Sequence, residues 1–67
     1  MSVLKVIEVM SSSDKSWEEA TQVGIAKASK TLKGIKSAWV KDQSVSVKDG
    51  KVVAYRVTLK LSFEIEE

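Results

Sequence analysis

The residues of this 67-residue sequence that could bind a ligand are concentrated in its C-terminal half. They supply one aromatic ring, one guanidinium group and several short hydrogen-bonding side chains, which is the chemistry of a site for a small, flat, polar ligand. Arg56 is the single arginine of the chain. The candidate ligand-binding residues are Ser37, Trp39, Asp42, Gln43, Arg56 and Thr58.

The sequence lacks the groups on which most enzymes and metal sites depend. It contains no histidine and no cysteine, which removes the commonest general base and the commonest zinc ligands. The serines at 11–13 have no partner base, so a loop that leads into a helix is the simpler interpretation. The carboxylates that could bind a cation are Asp14, Asp42, Glu64 and Glu66, and no spacing singles any of them out. The sequence therefore predicts a protein that is not an enzyme.

Composition places the chain among small globular proteins. It is 43% hydrophobic and 30% charged, with a net charge of +2. Lysines alternate with acids, so no basic surface for nucleic acid is predicted. No apolar run is long enough to cross a membrane, and the charged residues Lys5 and Glu8 argue against a signal peptide. Residues 1–67 are expected to form one domain, located in the cytoplasm.

The last segment of the chain carries the strongest structural signal. Seven large apolar residues recur at every second position from Val53 to Ile65, which predicts a strand with one apolar and one polar face. At roughly 3.3 Å per residue this strand spans about 40 Å. Because that length exceeds what a domain of this size can cover, part of the strand is expected to extend beyond its own fold.

The N-terminal half predicts a strand followed by a helix. Val3–Met10 is apolar and β-branched and is expected to be buried on both faces. Ser16 and Glu19 form a capping box, which predicts a helix from Trp17 to Lys33. Gly34 is the expected stop. The predicted buried face of the helix consists of Trp17, Ala20, Thr21, Gly24, Ile25, Ala28 and Leu32.

A second strand, Ile35–Lys48, leads into Asp49-Gly50, a dipeptide typical of a two-residue hairpin turn. If no bulge intervenes, this turn sets the register of the hairpin. The expected pairs on the apolar face are Ala38–Leu61, Val40–Leu59 and Ser44–Tyr55. Those on the polar face are Trp39–Lys60, Lys41–Thr58 and Gln43–Arg56. A bulge would shift this register by one residue.

The predicted order is strand, helix, strand, strand, with the first two strands parallel neighbours. The helix covers one face of the sheet, and the polar face with Trp39 stays uncovered. Three interpretations of Trp39 are open: packing on the stems of Lys41 and Lys60, anchoring a subunit interface, or stacking on a flat ligand between subunits with Gln43 and Arg56 at its polar edges. Since a chain this small without disulfides usually needs oligomerisation, self-association is expected.

The chain resembles the dodecins over nearly its full length. The resemblance is carried by the opening strand Lys5–Val9, the capped helix that ends with Lys30-Thr31-Leu32, and the last strand Tyr55–Phe63. It implies a β-α-β-β fold of the α+β class, with a three-stranded, antiparallel-containing sheet wrapped around one helix, and assembly into a hollow homo-dodecamer. It also implies storage of flavin (FMN or riboflavin), stacked between symmetry-related tryptophans, without catalysis.

Two positions depart from the flavin-binding pattern of that family. Arg56 stands where flavin binders have glutamine, and Ser37 stands where they have the stacking tryptophan. Trp39 lies two residues further along the same strand face, about 6.6 Å away. The chain is therefore similar to a branch that lacks both residues, for which cation binding has been proposed. The alternative to flavin storage is a structural or calcium-associated cage that binds no flavin.

Overall fold

A computed structural model describes residues 3–65 of the chain. It contains strand β1 (Val3–Ser13), helix α1 (Trp17–Ala28), strand β2 (Ile35–Lys48) and strand β3 (Lys51–Ile65). The strands form one sheet in the order β1-β3-β2, and β3 is antiparallel to both neighbours. The predicted β-α-β-β fold is thus confirmed. The expectation that β1 and β2 are neighbours is wrong: they share a direction, but β3, the strand that contributes three of the four core residues, lies between them.

Strand β1 is longer and more exposed than its sequence indicated. It continues through the three serines to Ser13, which is paired with Tyr55. Serine has no strong strand preference, so pairing with β3 decides the conformation of this segment. The prediction that β1 is buried on both faces is wrong because β1 is an edge strand covered on one side. Leu4 and Val6 on its other side are 53% and 47% exposed.

The N-terminus of α1 is capped, though only half of the predicted capping box forms. The hydroxyl of Ser16 accepts a hydrogen bond from the amide of Glu19 at 2.9 Å, as expected. The carboxylate of Glu19 accepts a hydrogen bond from the hydroxyl of Ser13 instead of reaching back to Ser16. Ser13 Oγ in turn accepts from the amides of Lys15 and Ser16, at 2.9 and 3.4 Å. A serine at the end of β1 therefore ties the strand to the helix.

Helix α1 ends at Ala28, five residues before the predicted Lys33. Beyond it the chain forms a tighter turn, in which the amide of Lys30 donates to Lys27 O and that of Thr31 to Ala28 O. These bonds span three residues instead of four, which is common where a helix frays at its end. Gly34 follows with a φ of +75°, the left-handed conformation expected of a residue that redirects the chain.

The core lies between α1 and the central strand. Its fully buried apolar residues, among those the structure describes, are Ala20, Val57, Leu59 and Leu61. Gly24 lets the helix approach this closely, because a β-carbon at Gly24 would lie 2.9 Å from Ser11 Cβ and 3.1 Å from Leu59 Cδ1. The predicted helix face is confirmed, since each of its members is buried or partly buried: Trp17, Ala20, Thr21, Gly24, Ile25, Ala28 and Leu32.

The β2–β3 hairpin turns at Asp49 and Gly50, whose φ values of 53° and 76° are those of the predicted turn type. The register next to the turn and from Ser37 to Val40 follows the prediction, whereas the segment between them is shifted by one residue. The confirmed pairs are Ala38–Leu61, Val40–Leu59 and Trp39–Lys60. The expected pairs Lys41–Thr58, Gln43–Arg56 and Ser44–Tyr55 are replaced by Asp42–Thr58, Gln43–Val57 and Ser44–Arg56.

Irregularities in the hairpin explain the shift. The register changes between Ser46 and Val47, where β3 has one extra residue, and again between Val40 and Asp42, where β2 has one. Because these two insertions lie on opposite strands, they cancel, and the predicted register returns from Val40 to Ser37. A third irregularity, between Ile35 and Ser37, shifts the start of β2, so that Ile35 lies opposite Phe63.

The molecule is elongated, measuring 51 × 19 × 13 Å. Its radius of gyration is 13.8 Å, compared with about 11 Å for a compact domain of this length. Helix α1 packs mainly on β1 and β3, so the tip of the hairpin extends beyond it. Within residues 3–65, no helix is long and apolar enough to span a membrane.

Candidate ligand-binding face

The sheet face opposite α1 is called the open face below. Since Val57, Leu59 and Leu61 are buried beneath α1, the alternate side chains of β3 point to the other side. The register then assigns each neighbour on β1 and β2 to a row across the sheet. The four central rows of the open face are Ser12–Arg56–Ser44, Met10–Thr58–Asp42, Glu8–Lys60–Trp39 and Val6–Ser62–Ser37.

Five of the six predicted site residues lie on the open face: Ser37, Trp39, Asp42, Arg56 and Thr58. Gln43 does not, because it lies opposite Val57, whose side chain is buried on the α1 side. The extra residue at Lys41 explains why Gln43 departs from the prediction, because a bulge turns the side chains that follow it on β2 to the opposite face of the sheet. Gln43 therefore cannot share a polar edge with Arg56, as the sequence suggested.

Trp39 is the largest side chain of the open face and is 46% exposed. It lies directly opposite Lys60 on β3, in the row that ends with Glu8 on β1. An indole that remains half-exposed on an uncovered sheet is available for contact with a second surface or ligand. The second tryptophan, Trp17, is on the other side of the sheet. There it stacks edge-on against Tyr55, with ring centroids 5.2 Å apart, and donates a hydrogen bond to Ser44 O at 3.1 Å.

The row next to Trp39 is made of small polar side chains. The hydroxyls of Ser37 and Ser62 are 2.5 Å apart and hydrogen-bonded to each other. Ser62 is 3% exposed, and this bond satisfies its hydroxyl in a buried position.

The charges of the open face are only partly paired. Lys41 Nζ lies 3.3 Å from Glu8 Oε2, and both side chains are nearly half exposed, so the pair adds at most about 1 kcal/mol to stability. Within residues 3–65, neither Arg56 nor Asp42 forms an ion pair or a side-chain hydrogen bond. Two opposite charges on this face thus remain available to a ligand or another chain.

The carboxylates considered for a cation are dispersed. Asp42 is on the open face, Glu64 is opposite Leu4 near the end of the sheet, and Asp14 is in the loop before α1. Glu66 lies outside the described residues. Across residues 3–65, no three groups of the metal-binding types come together. Glu64 instead lines a cavity of about 200 Å³ with Lys33, Gly34 and Lys36.

Sequence reasoning missed the contribution of β1 to the open face. Met10 and Ser12 lie beside Thr58 and Arg56, and Glu8 lies beside Lys60. A signal is present, since two even-numbered residues of β1, Glu8 and Ser12, are charged or polar like the residues of β3 opposite them. The interpretation of the three serines as a loop hides this signal.

Comparison with known proteins identifies relatives over the whole length of the chain. A family model described as Dodecin matches residues 3–66. The calcium dodecin of Mycobacterium tuberculosis is 34% identical over 65 residues, which are 97% of this chain and 92% of that protein. The dodecin of Thermus thermophilus is 32% identical over 65 residues, which are 97% of this chain and 94% of that protein.

Solved structures share the fold. A mutant of Thermus thermophilus dodecin superimposes with a TM-score of 0.93 at 31% identity and covers 100% of both chains. Dodecin from Streptomyces coelicolor gives a TM-score of 0.93 at 30% identity, covering 98% of this chain and 94% of that one. The Mycobacterium tuberculosis protein, described as a calcium-chelating antigen with a novel calcium-binding site, gives 0.83 at 34% identity, covering 96% and 91%.

Proposed function

The chain belongs to the dodecin family, and from that premise we propose that it is a non-catalytic homo-oligomer that binds and stores a small aromatic ligand on its open face. The observation that carries the proposal is Trp39, a half-exposed indole on an uncovered sheet face, beside a row of short serines and within the same face as Arg56. The ligand expected from the family resemblance is a flavin, FMN or riboflavin.

Self-association is supported by what a single chain leaves exposed. The buried apolar core of the described residues has four members, whereas ten large apolar side chains are exposed, from 42% to 69%. Leu4, Val6 and Met10 belong to the open face, and Val6 and Met10 lie in the rows on either side of the Trp39 row. An exposed apolar surface of this kind on a small chain is typical of a subunit interface. The resemblance points to twelve copies.

Stacking on Trp39 would supply the affinity for the ring. Contact of a flat aromatic with an indole contributes about 0.5–1.5 kcal/mol beyond the area that it buries. If an interface brings two copies of Trp39 together, a ring between them would be stacked on both sides. The exposed side chain of Ser37, in the row next to Trp39, has a hydroxyl that can bond to a polar edge.

The test is a titration of riboflavin and of FMN with the assembled protein, followed by flavin fluorescence. Stacking on an indole is expected to quench the fluorescence. Trp39→Ala is expected to weaken binding about tenfold, and Trp39→Phe to weaken it less, since a ring is retained. The matched control is Trp17→Phe, which changes the tryptophan on the opposite side of the sheet and should leave the titration unchanged. Undiminished fluorescence with micromolar wild-type protein would contradict flavin binding.

A second candidate function is the binding of calcium by the assembled cage. It is supported by the relative named calcium dodecin and by Asp42, which is exposed on the open face and has no ion pair among residues 3–65. Because the carboxylates of residues 3–65 do not form a cluster of metal ligands within one chain, a calcium site would need carboxylates from several copies. Calorimetric titration with calcium should give heat that is lost in Asp42→Asn. No heat and no change in thermal stability would remove this candidate.

A further inference from the structure

The row Ser12–Arg56–Ser44 differs from the other rows of the open face in its hydrogen-bonding capacity. Arg56 is on the central strand, with Ser12 opposite it on β1 and Ser44 opposite it on β2. All three side chains are exposed. A guanidinium group has five N–H donors and no acceptor, and each hydroxyl adds a donor. The row is therefore suited to the oxygens of an anion.

Among residues 3–65, no carboxylate forms an ion pair with the guanidinium of Arg56. Lys60, the other cation of β3 on this face, has Glu8 opposite it, and Glu8 also pairs with Lys41. Arg56 has a serine on each side instead. The nearest carboxylate by register is Asp42, which lies diagonally in the next row and is more than 4.0 Å from the guanidinium nitrogens.

The spacing of the rows indicates the shape of the ligand. Arg56 lies four residues from Lys60, whose row contains Trp39, and this corresponds to about 13 Å along the strand. The row between them contains Asp42, which would repel an anion placed nearer to Trp39. An anion on the open face is thus held at a distance from the aromatic ring, at the end of an extended arm.

We propose that Ser12, Arg56 and Ser44 form an anion subsite, which selects ligands that carry a phosphate or carboxylate on an arm attached to an aromatic ring. Arginine binds such groups with two parallel N–H···O bonds, which specifies geometry as well as charge. The anion subsite deepens the proposed function. Binding of the aromatic ring rests on that function, whereas binding of the anion does not. For flavins, the subsite selects FMN over riboflavin, because the two share the ring and differ in the phosphate.

The test compares the affinities of FMN and riboflavin for the assembled protein. FMN is expected to bind about threefold to tenfold more tightly than riboflavin, because its phosphate adds one charge-assisted contact that remains accessible to water. Arg56→Gln should bring the ratio close to one while riboflavin still binds. Arg56→Lys should retain part of the preference, because charge is kept and bidentate geometry is lost. The matched control is Lys27→Gln, which removes the same charge from α1 on the opposite side of the sheet and should leave the ratio unchanged.

Equal affinity for the two flavins, or a ratio unaltered by Arg56→Gln, would overturn the subsite. If neither flavin binds, the aromatic function fails while the subsite is still tested, by titrating inorganic phosphate and following the Arg56 side-chain N–H resonance. A shift in wild type that is absent in a Ser12→Ala, Ser44→Ala double variant supports the anion subsite, and the absence of any shift overturns it.

Discussion

Replacement of Gly24 by alanine should destabilise the protein, although alanine is the better helix former. In an exposed helix the change would gain about 1 kcal/mol. Here the new β-carbon would lie 2.9 Å from Ser11 Cβ and 3.1 Å from Leu59 Cδ1. Ser11 Cβ is bonded directly to the backbone of β1, so the contact can be relieved only if the helix moves away from the sheet.

The magnitude follows from the two opposing effects. Overpacking of a tight core costs about 1–3 kcal/mol, and the propensity gain offsets about 1 kcal/mol of that. The expected net loss is therefore about 1 kcal/mol, measured by urea unfolding with helical circular dichroism at a fixed protein concentration. The concentration must be fixed because assembly contributes to the apparent stability.

A double-mutant cycle with Ser11→Gly tests the reason for this loss. Removing Ser11 Cβ eliminates the closest contact, and the remaining one, with the flexible end of Leu59, can adjust. In the Ser11→Gly background, Gly24→Ala should therefore cost less or become stabilising. If Gly24→Ala stabilises the otherwise unchanged protein by about 1 kcal/mol, the close approach of helix and strand described above is refuted.

Two further substitutions test local features of the fold. Ser16→Ala removes the acceptor for the amide of Glu19 and should lower the free energy of unfolding by about 1 kcal/mol, whereas Ser16→Asp should retain most of it. Unchanged stability of the alanine variant in denaturant unfolding would show that the cap is dispensable. Gly50→Ala places a β-carbon at a φ of 76° and should cost about 1–2 kcal/mol by the same assay, while Asp49→Asn at the neighbouring position should be tolerated. An alanine variant as stable as the parent would argue against the left-handed turn.

The sequence predicted the hairpin well because its turn is specified locally. Asp49 and Gly50 tolerate positive φ, and a two-residue turn sets the pairing of the strands that follow. The distant pair Trp39–Lys60 was predicted correctly for a less direct reason, since two insertions on opposite strands cancel before it is reached. Neither insertion is marked by a glycine, so the shift between them, which separates Gln43 from Arg56, had no local signal.

Other features depend on contacts that a local pattern does not contain. The pairing of Ser13 with Tyr55 makes a strand of residues that favour loops by composition. The placement of β3 between β1 and β2 depends on which strand is buried best, and the helix connection alone does not decide it. For the site, Ser37, Trp39, Arg56 and Thr58 follow from alternation, whereas Asp42 lies on the open face only because of the bulge at Lys41. Ser12 and Ser44, which flank Arg56, required the true register.

The central claim is that the described fold is completed by association, with the open face between copies or against a ligand. Sedimentation equilibrium at micromolar protein tests it most directly. The account predicts an assembly of twelve copies of the 7.4 kDa chain, about 89 kDa, and no concentration-dependent loss of mass. A single species of 7.4 kDa at that concentration would contradict the claim, since a stable monomer would leave the exposed apolar residues of β1 and the Trp39 row in water.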